Sequence, residues 1–583
     1  MATRFAHKRL SLWLVACAVV LSSSALPLDF YLDDWLGRFV YSDLEGAARL
    51  YRNYSGGYGL AIGDAAENRW QMEEGWAPWW HHEQLRIALY RPIGVVLHAL
   101  DFRLWPDSPL AMRLQNLLWL GGAIIAATWM YRIALGAMLG GAAALLLAFD
   151  HTHGYAVGHI CNRHAIVGAL LGALSLGAYL QHRKQPTPLR AVLGPLLYAL
   201  GLLSSESLVA ITAYVVAHAV CVQRGCWVRR ALSVAPYLVI TVVWRWLYNA
   251  AGYGAANSGV YIDVGREPLH FARNFLERGP LLWLGQFLTP PSEVYVELGE
   301  HGARVMLGFA VLVVVLSVWA FAPLLRRDAI ARFWFLGMLG ALVPAAATHP
   351  HNRQLVFASF GAMALLAQLW RYYARTWSTP LPPPARVAKF VGLCLIAFHA
   401  VSSPLGLPLT TASVAVTKPV HAAAAGIDHR IAGRDVVFVT TPEYYAVRLM
   451  KFMRSVNGDP LPRRVRAISG EAFPITVTRV DARTLEVTYA RGLLGEVMGD
   501  DLHRDRRFGM PVGTQVNLSG FAVEVLRTTE DGRPDHVRFR FDVPLEDESL
   551  VFFRWDETRF VPFVPPAVGA KVVLPGATAP LGA

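Results

Sequence analysis

The residues of this sequence that could do chemistry are ionisable side chains at the ends of long apolar segments. Two adjacent carboxylates, Asp33 and Asp34, follow the first apolar segment, and Glu206 separates two short ones. Paired carboxylates near Arg and His can supply a general base. Taken alone, Asp33 and Asp34 are as consistent with the start of a solvated loop. Glu206 is harder to explain as structure, because a carboxylate between two apolar helices would lose its hydration.

Three arginines and several histidines are further candidates, all on the side of the membrane where the topology described below places the two carboxylates and Glu206. Arg91, Arg163 and Arg353 could form an anion clamp, although Arg163 and Arg353 could also simply extend to a membrane interface. The histidines are more readily explained as interfacial or backbone-bonded residues; those of interest here are His81, His82 and His351, the last beside Asn352. Asp150, His151 and His153 have a spacing that could hold a metal, but no fourth ligand is apparent, and we predict no metal site.

The composition determines what kind of protein must position these groups. Of 583 residues, 54% are hydrophobic and 16% are charged, and the mean hydropathy is +0.35. Soluble chains average roughly a quarter charged residues, so the composition argues against a soluble enzyme. Five cysteines, none after residue 400, exclude a disulfide-stapled outer domain. The net charge of +12 is explained by cytoplasmic loops rather than by a nucleic-acid partner.

Apolar runs predict about eleven transmembrane helices, the first of them a retained N-terminal helix. The predicted spans are 10–27, 110–132, 134–149, 157–181, 190–204, 206–222, 231–250, 304–325, 331–348, 354–373 and 387–408. With the N-terminus in the cytoplasm, nearly every basic loop falls on the inner side, as the positive-inside rule requires. We predict that the charged segment 86–103 is an amphipathic helix at the outer membrane surface. The polar groups described above then collect on the outer side.

The sequence divides into two predicted domains. Residues 1–408 form the transmembrane domain, with a first outer loop at 28–109 that carries the acid pair. Charges become frequent after about residue 408, and alternating segments beginning near residues 435, 475, 484, 521 and 536 predict strands. Residues 442–456 predict one amphipathic helix. Residues 409–583 are therefore predicted to be a β-rich soluble domain on the outer face.

Read in order, these residues resemble the GT-C superfamily of multispanning glycosyltransferases, and in particular the bacterial relatives of the transmembrane O-mannosyltransferases. The motifs are the acid pair, a Tyr-Arg-Pro sequence at 90–92, Asn116-Leu-Leu, the lone Arg163, a hairpin tip at 204–206, and the segment 353–361 that ends in Ser-Phe-Gly. The likeness spans roughly residues 10 to 375. Two motifs depart from the pattern, because Ser205 stands where relatives have Lys and Asn352 stands where they have Glu.

The resemblance implies inverting transfer of a sugar from a polyprenyl-phosphate donor to an acceptor protein, lipid or glycan on the outer face. Asp33 or Asp34 would be the base, and Arg91, Arg163 and Arg353 would hold the donor phosphate. Glu206 would orient sugar hydroxyls or an arginine, and His81, His82, His351 and Asn352 are weaker substrate-binding candidates. The scheme needs no cofactor. The implied location is a bacterial inner membrane.

Three other classes stay open from the sequence alone. A transporter can also bury ionisable residues, but it should place them in both halves of the membrane, and the inner halves here are almost purely apolar. A polysaccharide polymerase or ligase is a nearer rival, although its catalytic loop normally comes late in the chain. The membrane region could also be an inactive anchor for the β-rich domain.

Overall fold

The computed structural model describes residues 5–378, 380–427, 429–470, 472–494 and 498–577. Backbone contacts divide the chain into two units, each built from three segments. Unit 1 comprises Met1–Phe30, Tyr90–Ala251 and Val264–Val414. Unit 2 comprises Tyr31–Leu89, Gly252–Asp263 and Ala415–Ala583. Much of the first predicted outer loop thus packs with the C-terminal region rather than with the membrane helices.

The apolar helices confirm a polytopic α-helical membrane protein. Among the described residues, six are long and apolar enough to cross a bilayer: Pro109–Leu135, Ile160–Lys184, Trp227–Ala250, Glu300–Arg327, Asn352–Arg375 and Pro383–Ala425, the last continuing into unit 2. Five are shorter: Leu10–Ala25, Ala137–Ala148, Pro188–Leu202, Glu206–Cys221 and Ala329–Ala345. Each predicted span corresponds to one of these helices. The number that cross the membrane stays a prediction, because a 12-residue helix is only about 18 Å long.

Local chemistry explains where these helices begin and end. Pro109 occupies the first helical turn, and the Ser108 hydroxyl accepts the Ala111 N–H at 3.3 Å. The same helix ends at Gly136, whose φ of +82° favours glycine. Basic residues occupy the last turn of several spans, including Arg132 and Arg375, where the helix dipole favours positive charge.

Small residues let the membrane helices approach closely. A methyl group added at Gly337 would lie 2.1 Å from the ring of Tyr214. The hydroxyl of Tyr214 donates to the Phe357 carbonyl at 2.7 Å, which joins three helices of unit 1. Glycine is therefore required for this packing.

Two helices of more than ten residues in the described part of unit 1 lie outside the predicted spans. Pro92–Leu104 corresponds to the predicted amphipathic segment, although residues Arg86–Ala88 form a short strand rather than its first turn. Pro268–Phe287 is a 20-residue helix that the apolar pattern does not predict. It carries three charged residues near its middle, which interrupt the hydropathy of the segment.

The part of unit 2 that the structure describes contains three sheets. The largest is antiparallel, with six strands in the spatial order Lys571–Leu574, Ile475–Arg479, Thr484–Tyr489, Pro534–Phe541, Phe521–Thr528 and Gln515–Leu518. A second has four, in the order Arg559–Pro562, Leu550–Asp556, Asp435–Phe438 and Arg464–Ala467. A third has three, Gly59–Ile62, Arg86–Ala88 and Gly254–Ala256. The five predicted strands are all present, and the β-rich character of the C-terminal region is confirmed.

Short helices complete unit 2. They are Asp33–Val40, Ala47–Asn53, Ala65–Glu73, Tyr444–Asn457, Lys418–Ala425 and Met498–His503. The helix Tyr444–Asn457 connects the parallel strands Asp435–Phe438 and Arg464–Ala467, as expected of a βαβ unit. Its Phe452 ring stacks on Trp76 at 5.0 Å and lies 5.5 Å from Phe39. The helix Asp33–Val40 is thereby packed against the helix Tyr444–Asn457.

Candidate functional site

Arg91 is held by two side chains that the sequence places far away. Its Nε donates to Glu206 Oε2 at 2.8 Å, and its Nη1 donates to His164 Nε2 at 2.8 Å. Arg91 lies just before the helix Pro92–Leu104, and Glu206 begins the hairpin's second helix. The Arg91 and Glu206 side chains are 14% and 19% exposed, so the ion pair is shielded but accessible. The guanidinium is thus oriented, and part of the side chain remains exposed.

Arg163 has a different environment. Its Nε donates to Asn116 Oδ1 at 2.6 Å, its Nη2 to the Met112 carbonyl at 2.8 Å, and its Nη1 to the Asp101 carboxylate. The Arg163 side chain is 1% exposed and the Asp101 side chain is fully buried. This buried ion pair joins the start of the helix Arg163–Lys184 to two other helices of unit 1.

Arg353 belongs to a turn that several polar residues brace. Its guanidinium carbon lies 5.5 Å from the centre of the Tyr155 ring, a cation–π arrangement. The backbone N–H of Arg353 donates to His351 Nδ1 at 3.2 Å, and the His351 ring also packs against Tyr155 at 4.6 Å. The Arg353 side chain is partly exposed.

Asn352 ties the same turn to a segment that the sequence did not single out. Its Oδ1 accepts the backbone N–H of Ser292 at 3.1 Å and the Ser292 hydroxyl at 3.0 Å. Its backbone N–H donates to Glu293 Oε2 at 2.9 Å. The Asn352 side chain is therefore used to position the turn that presents Arg353.

Asp150 is a further buried carboxylate in unit 1. Its Oδ2 accepts the Ser359 hydroxyl at 2.7 Å and its Oδ1 accepts the Thr152 N–H at 3.1 Å. Nδ1 of His151 is bonded to the Ser403 hydroxyl at 2.9 Å. The Ser359 hydroxyl, the Thr152 N–H and the Gln286 amide satisfy the carboxylate within the helix bundle, as a buried charge requires.

The acid pair lies in unit 2, at the start of the helix Asp33–Val40. Asp34 is fully buried, and its Oδ2 accepts the Tyr31 N–H at 3.0 Å. Asp33 is only partly buried. The intervening Leu32 has a φ of +28°, an uncommon value for a residue with a side chain. Asp34 thus helps to fix a strained turn, and Asp33 is the more accessible carboxylate.

His81 and His82 pack inside unit 2. His81 Nδ1 lies 2.8 Å from Nδ1 of His503, and the His82 N–H donates to the His503 carbonyl at 3.0 Å. Burial lowers the pKa of His81 to about 3 and the pKa of His82 to about 4. Both imidazoles are therefore neutral near pH 7, and they join the loop around residue 81 to the helix Met498–His503.

The residues that sequence reasoning missed are mostly the partners of those it found: Asp101, His164, Tyr155, Ser292, Glu293 and His503. One signal was available, because an arginine inside a membrane bundle requires a counter-charge. Asp101 lies within the predicted amphipathic segment 86–103. The pairing of Glu206 with an arginine was one of its two anticipated roles.

The fold and these clusters define a multispanning membrane protein that presents two oriented arginines in one unit and an acid pair in the other. No protein-family model matches the chain. No curated protein matches it. Solved structures do match, with low sequence identity and with partial likeness of the fold.

Two archaeal structures and one bacterial structure illustrate the likeness. The oligosaccharyltransferase of Archaeoglobus fulgidus, tethered to an acceptor peptide, is 13% identical with a TM-score of 0.39, and the match covers 79% of this chain and 64% of that chain. AglB of the same organism, in complex with an inhibitory peptide and a dolichol-phosphate, is 12% identical with a TM-score of 0.38, covering 80% and 66%. ArnT of Cupriavidus metallidurans is 15% identical with a TM-score of 0.37, covering 77% and 88%.

These proteins are GT-C membrane glycosyltransferases, the superfamily that the sequence motifs resemble. The chain spans about two thirds of the length of the archaeal oligosaccharyltransferases that it matches. With TM-scores below 0.5, the likeness carries no argument about the donor, the acceptor or the role of any residue.

Proposed function

We propose that the protein is a glycosyltransferase that moves a sugar from a polyprenyl-phosphate donor to an acceptor on the outer face of the membrane, with inversion at the anomeric carbon. The observation that carries this proposal is the contact of Arg91 with Glu206 and His164. Arg91 and Glu206 are 115 residues apart and belong to different motifs. An oriented, partly exposed guanidinium suits a lipid-linked phosphate, since Arg binds phosphate with directional hydrogen bonds.

We assign Arg91 and Arg353 to the donor phosphate, because both side chains are partly exposed and each is oriented by contacts with neighbouring side chains. Arg163 is proposed to position helices instead, because its donors are used by Asn116, Asp101 and Met112. Glu206 then orients Arg91 rather than the sugar. His351 and Asn352 support the turn that carries Arg353.

We assign the base to Asp33 and a positioning role to Asp34. The chemistry needs one carboxylate to take the acceptor proton while the acceptor attacks the anomeric carbon. Asp34 is fully buried and bonded to the Tyr31 N–H, whereas Asp33 is accessible. His81 and His82 are proposed to hold the loop of unit 2 and not to contact substrate. The topology that accompanies this proposal places the N-terminus in the cytoplasm and residues 409–583 outside a bacterial inner membrane.

The proposal is tested by transfer of label from polyprenyl-phosphate hexoses in membranes that carry the full-length protein. Asp33→Asn should abolish transfer, and Arg353→Ala should abolish donor use with expression intact. Arg103→Ala, which removes an exposed arginine, is the matched control and should retain transfer. Undiminished transfer in Asp33→Asn would remove the base assignment, and undiminished transfer in Asp34→Asn would remove the positioning role of Asp34. Absence of donor use by the unmodified protein would favour an inactive anchor.

A further inference from the structure

The turn at Tyr31 and Leu32 determines where Asp33 lies, because Asp33 begins the helix that follows it. The Asp34 N–H donates to the Tyr31 carbonyl at 2.6 Å, and the Tyr31 N–H donates to Asp34 Oδ2 at 3.0 Å. The Leu32 carbonyl accepts the Trp35 N–H at 3.1 Å. These bonds are local to the turn, whereas the Leu32 N–H is bonded by a distant part of the chain.

The partner of the Leu32 N–H is a histidine of the C-terminal region. The N–H donates to Nε2 of His421 at 3.4 Å, across a separation of 389 residues in the sequence. The centres of the His421 and Tyr31 rings are 6.3 Å apart. Because Nε2 accepts this hydrogen bond, it carries no proton, and the neutral imidazole has its proton on Nδ1. The contact therefore requires the acceptor nitrogen of His421.

Leu32 has a backbone conformation that a residue with a side chain rarely adopts. Its φ is +28° and its ψ is −103°. A positive φ in such a residue persists only where the surrounding structure enforces it. The hydrogen bond from Leu32 to His421 is one of the contacts that enforce it. Rotation of Leu32 toward a negative φ would displace Asp33, which is the next residue.

One helix supports both sides of this contact. His421 belongs to the helix Lys418–Ala425, which buries one face and packs against the helix Tyr444–Asn457. The helix that carries the acid pair packs against the same support, where the rings of Phe39 and Phe452 lie 5.5 Å apart. All these segments belong to unit 2. The distance between His421 and the turn is therefore set by packing on a common helix.

We infer that His421 is a positioning residue for sugar transfer: by accepting the Leu32 N–H, it holds Asp33 where its carboxylate takes the acceptor proton. This inference rests on the proposed function, in which Asp33 is the base. His421 itself is assigned no contact with substrate. A displacement of about 1 Å at a catalytic group can cost about a hundredfold in rate, so one hydrogen bond at this turn can affect transfer.

Two substitutions separate the acceptor nitrogen of His421 from its ring. His421→Gln presents an amide oxygen that can accept the same hydrogen bond, whereas His421→Phe keeps a ring and has no acceptor. The matched control is Lys418→Gln, which changes an exposed residue of the same helix and should behave as the unmodified protein.

The assay is transfer of label from a polyprenyl-phosphate hexose, measured against donor concentration in cell-envelope membranes that carry each full-length protein. His421→Phe should lower the maximal rate per mole of protein about 10- to 100-fold. Its donor KM should not change, because the donor phosphate is assigned to Arg91 and Arg353. His421→Gln should retain most of the maximal rate.

Hydrogen–deuterium exchange of the full-length protein in detergent gives a readout that does not need transfer. The peptide that contains Leu32 should exchange faster in His421→Phe than in the unmodified protein or in His421→Gln, because its amide loses the bond that protects it. Unchanged exchange in His421→Phe would overturn the inference.

The two measurements also separate the inference from the proposed function. Transfer by the unmodified protein at a rate that His421→Phe matches, or an equal loss in His421→Phe and His421→Gln, refutes the positioning role and leaves the proposed function intact. No transfer by the unmodified protein, with faster exchange only in His421→Phe, refutes the proposed function and shows that His421 holds the turn.

Discussion

The ion pair between Arg163 and Asp101 gives the sharpest structural prediction, because it separates positioning from phosphate binding. Both side chains are buried, at 1% and 0% exposure. Removing one partner of a buried pair leaves an uncompensated charge and typically costs about 3–5 kcal/mol. Asp101→Ala should therefore lower the free energy of unfolding by about that amount. Asp101→Asn should cost less, because the amide keeps an acceptor for Arg163.

The double variant Arg163→Gln/Asp101→Asn provides the internal check. Since neither charge then remains buried, its loss of stability should be smaller than the sum of the two single losses. The measurement is unfolding of the detergent-solubilised full-length protein by a denaturing detergent, followed by circular dichroism. Arg103→Gln, on the exposed face of the same helix, is the control and should change stability by less than about 0.5 kcal/mol.

The alternative reading of Arg163 predicts a different pattern. If Arg163 contacts the donor phosphate directly, Arg163→Gln should impair donor binding while leaving stability unchanged. That result, or strict additivity of the two single variants, would refute the positioning role.

Three other features give predictions that can be measured independently. Glu206→Gln should raise the donor KM about tenfold, a loss of about 1.4 kcal/mol, because Arg91 loses its charged partner; an unchanged KM would contradict this. Burial lowers the pKa of His81 from 6.5 to about 3, so between these two pH values the unfolded chain binds a proton that the folded chain does not. The free energy of unfolding should therefore fall by at most about 1.4 kcal/mol per pH unit as the pH decreases from about 6.5. His81→Gln should flatten that slope, and equal slopes would be inconsistent with a buried neutral imidazole. Gly337→Ala should lower the free energy of unfolding by about 1–3 kcal/mol through overpacking, whereas Gly308→Ala should not, because Gly308 has open space around it. Equal melting temperatures of these two variants would show that the helices can separate at Gly337.

The sequence predicts the helices and strands well because their periodicity is a local property. The eleven apolar runs each correspond to a helix, and the alternating segments near residues 475, 484, 521 and 536 are paired strands. The helix Pro268–Phe287 escapes this reasoning because charges interrupt its apolar run. The strand Leu550–Asp556 pairs in parallel with Asp435–Phe438, a pairing over more than one hundred residues that no local pattern specifies.

The candidate site could be predicted only as a set of residue types. Position at the end of an apolar segment singled out Arg91, Arg163 and Arg353 alike, yet their environments differ. Arg163 is buried and enclosed by hydrogen bonds, whereas the side chains of Arg91 and Arg353 are partly exposed. Which partner each arginine meets depends on the packing of distant helices, and a single sequence does not contain that information in local form.

The helix Tyr444–Asn457 shows the same limit. Its secondary structure could be predicted, but the burial of its charged residues could not. The amphipathic pattern correctly predicts a helix near 442–456, but its polar side is also enclosed. Arg448, Lys451 and Arg454 are all buried, against the usual expectation for charged residues on a helix. Their burial follows from segments 31–89 and 415–583 packing as one unit, which the domain boundary predicted near residue 408 did not anticipate.

The most direct measurement of the central claim is transfer of label from a polyprenyl-phosphate hexose by the full-length protein in cell-envelope membranes, which supply both the bilayer and the acceptor. The proposal predicts that the unmodified protein consumes a donor and that Asp33→Asn and Arg353→Ala do not, although both variants fold. Failure of the unmodified protein to consume any donor of a hexose panel, or equal consumption by both variants, would contradict it.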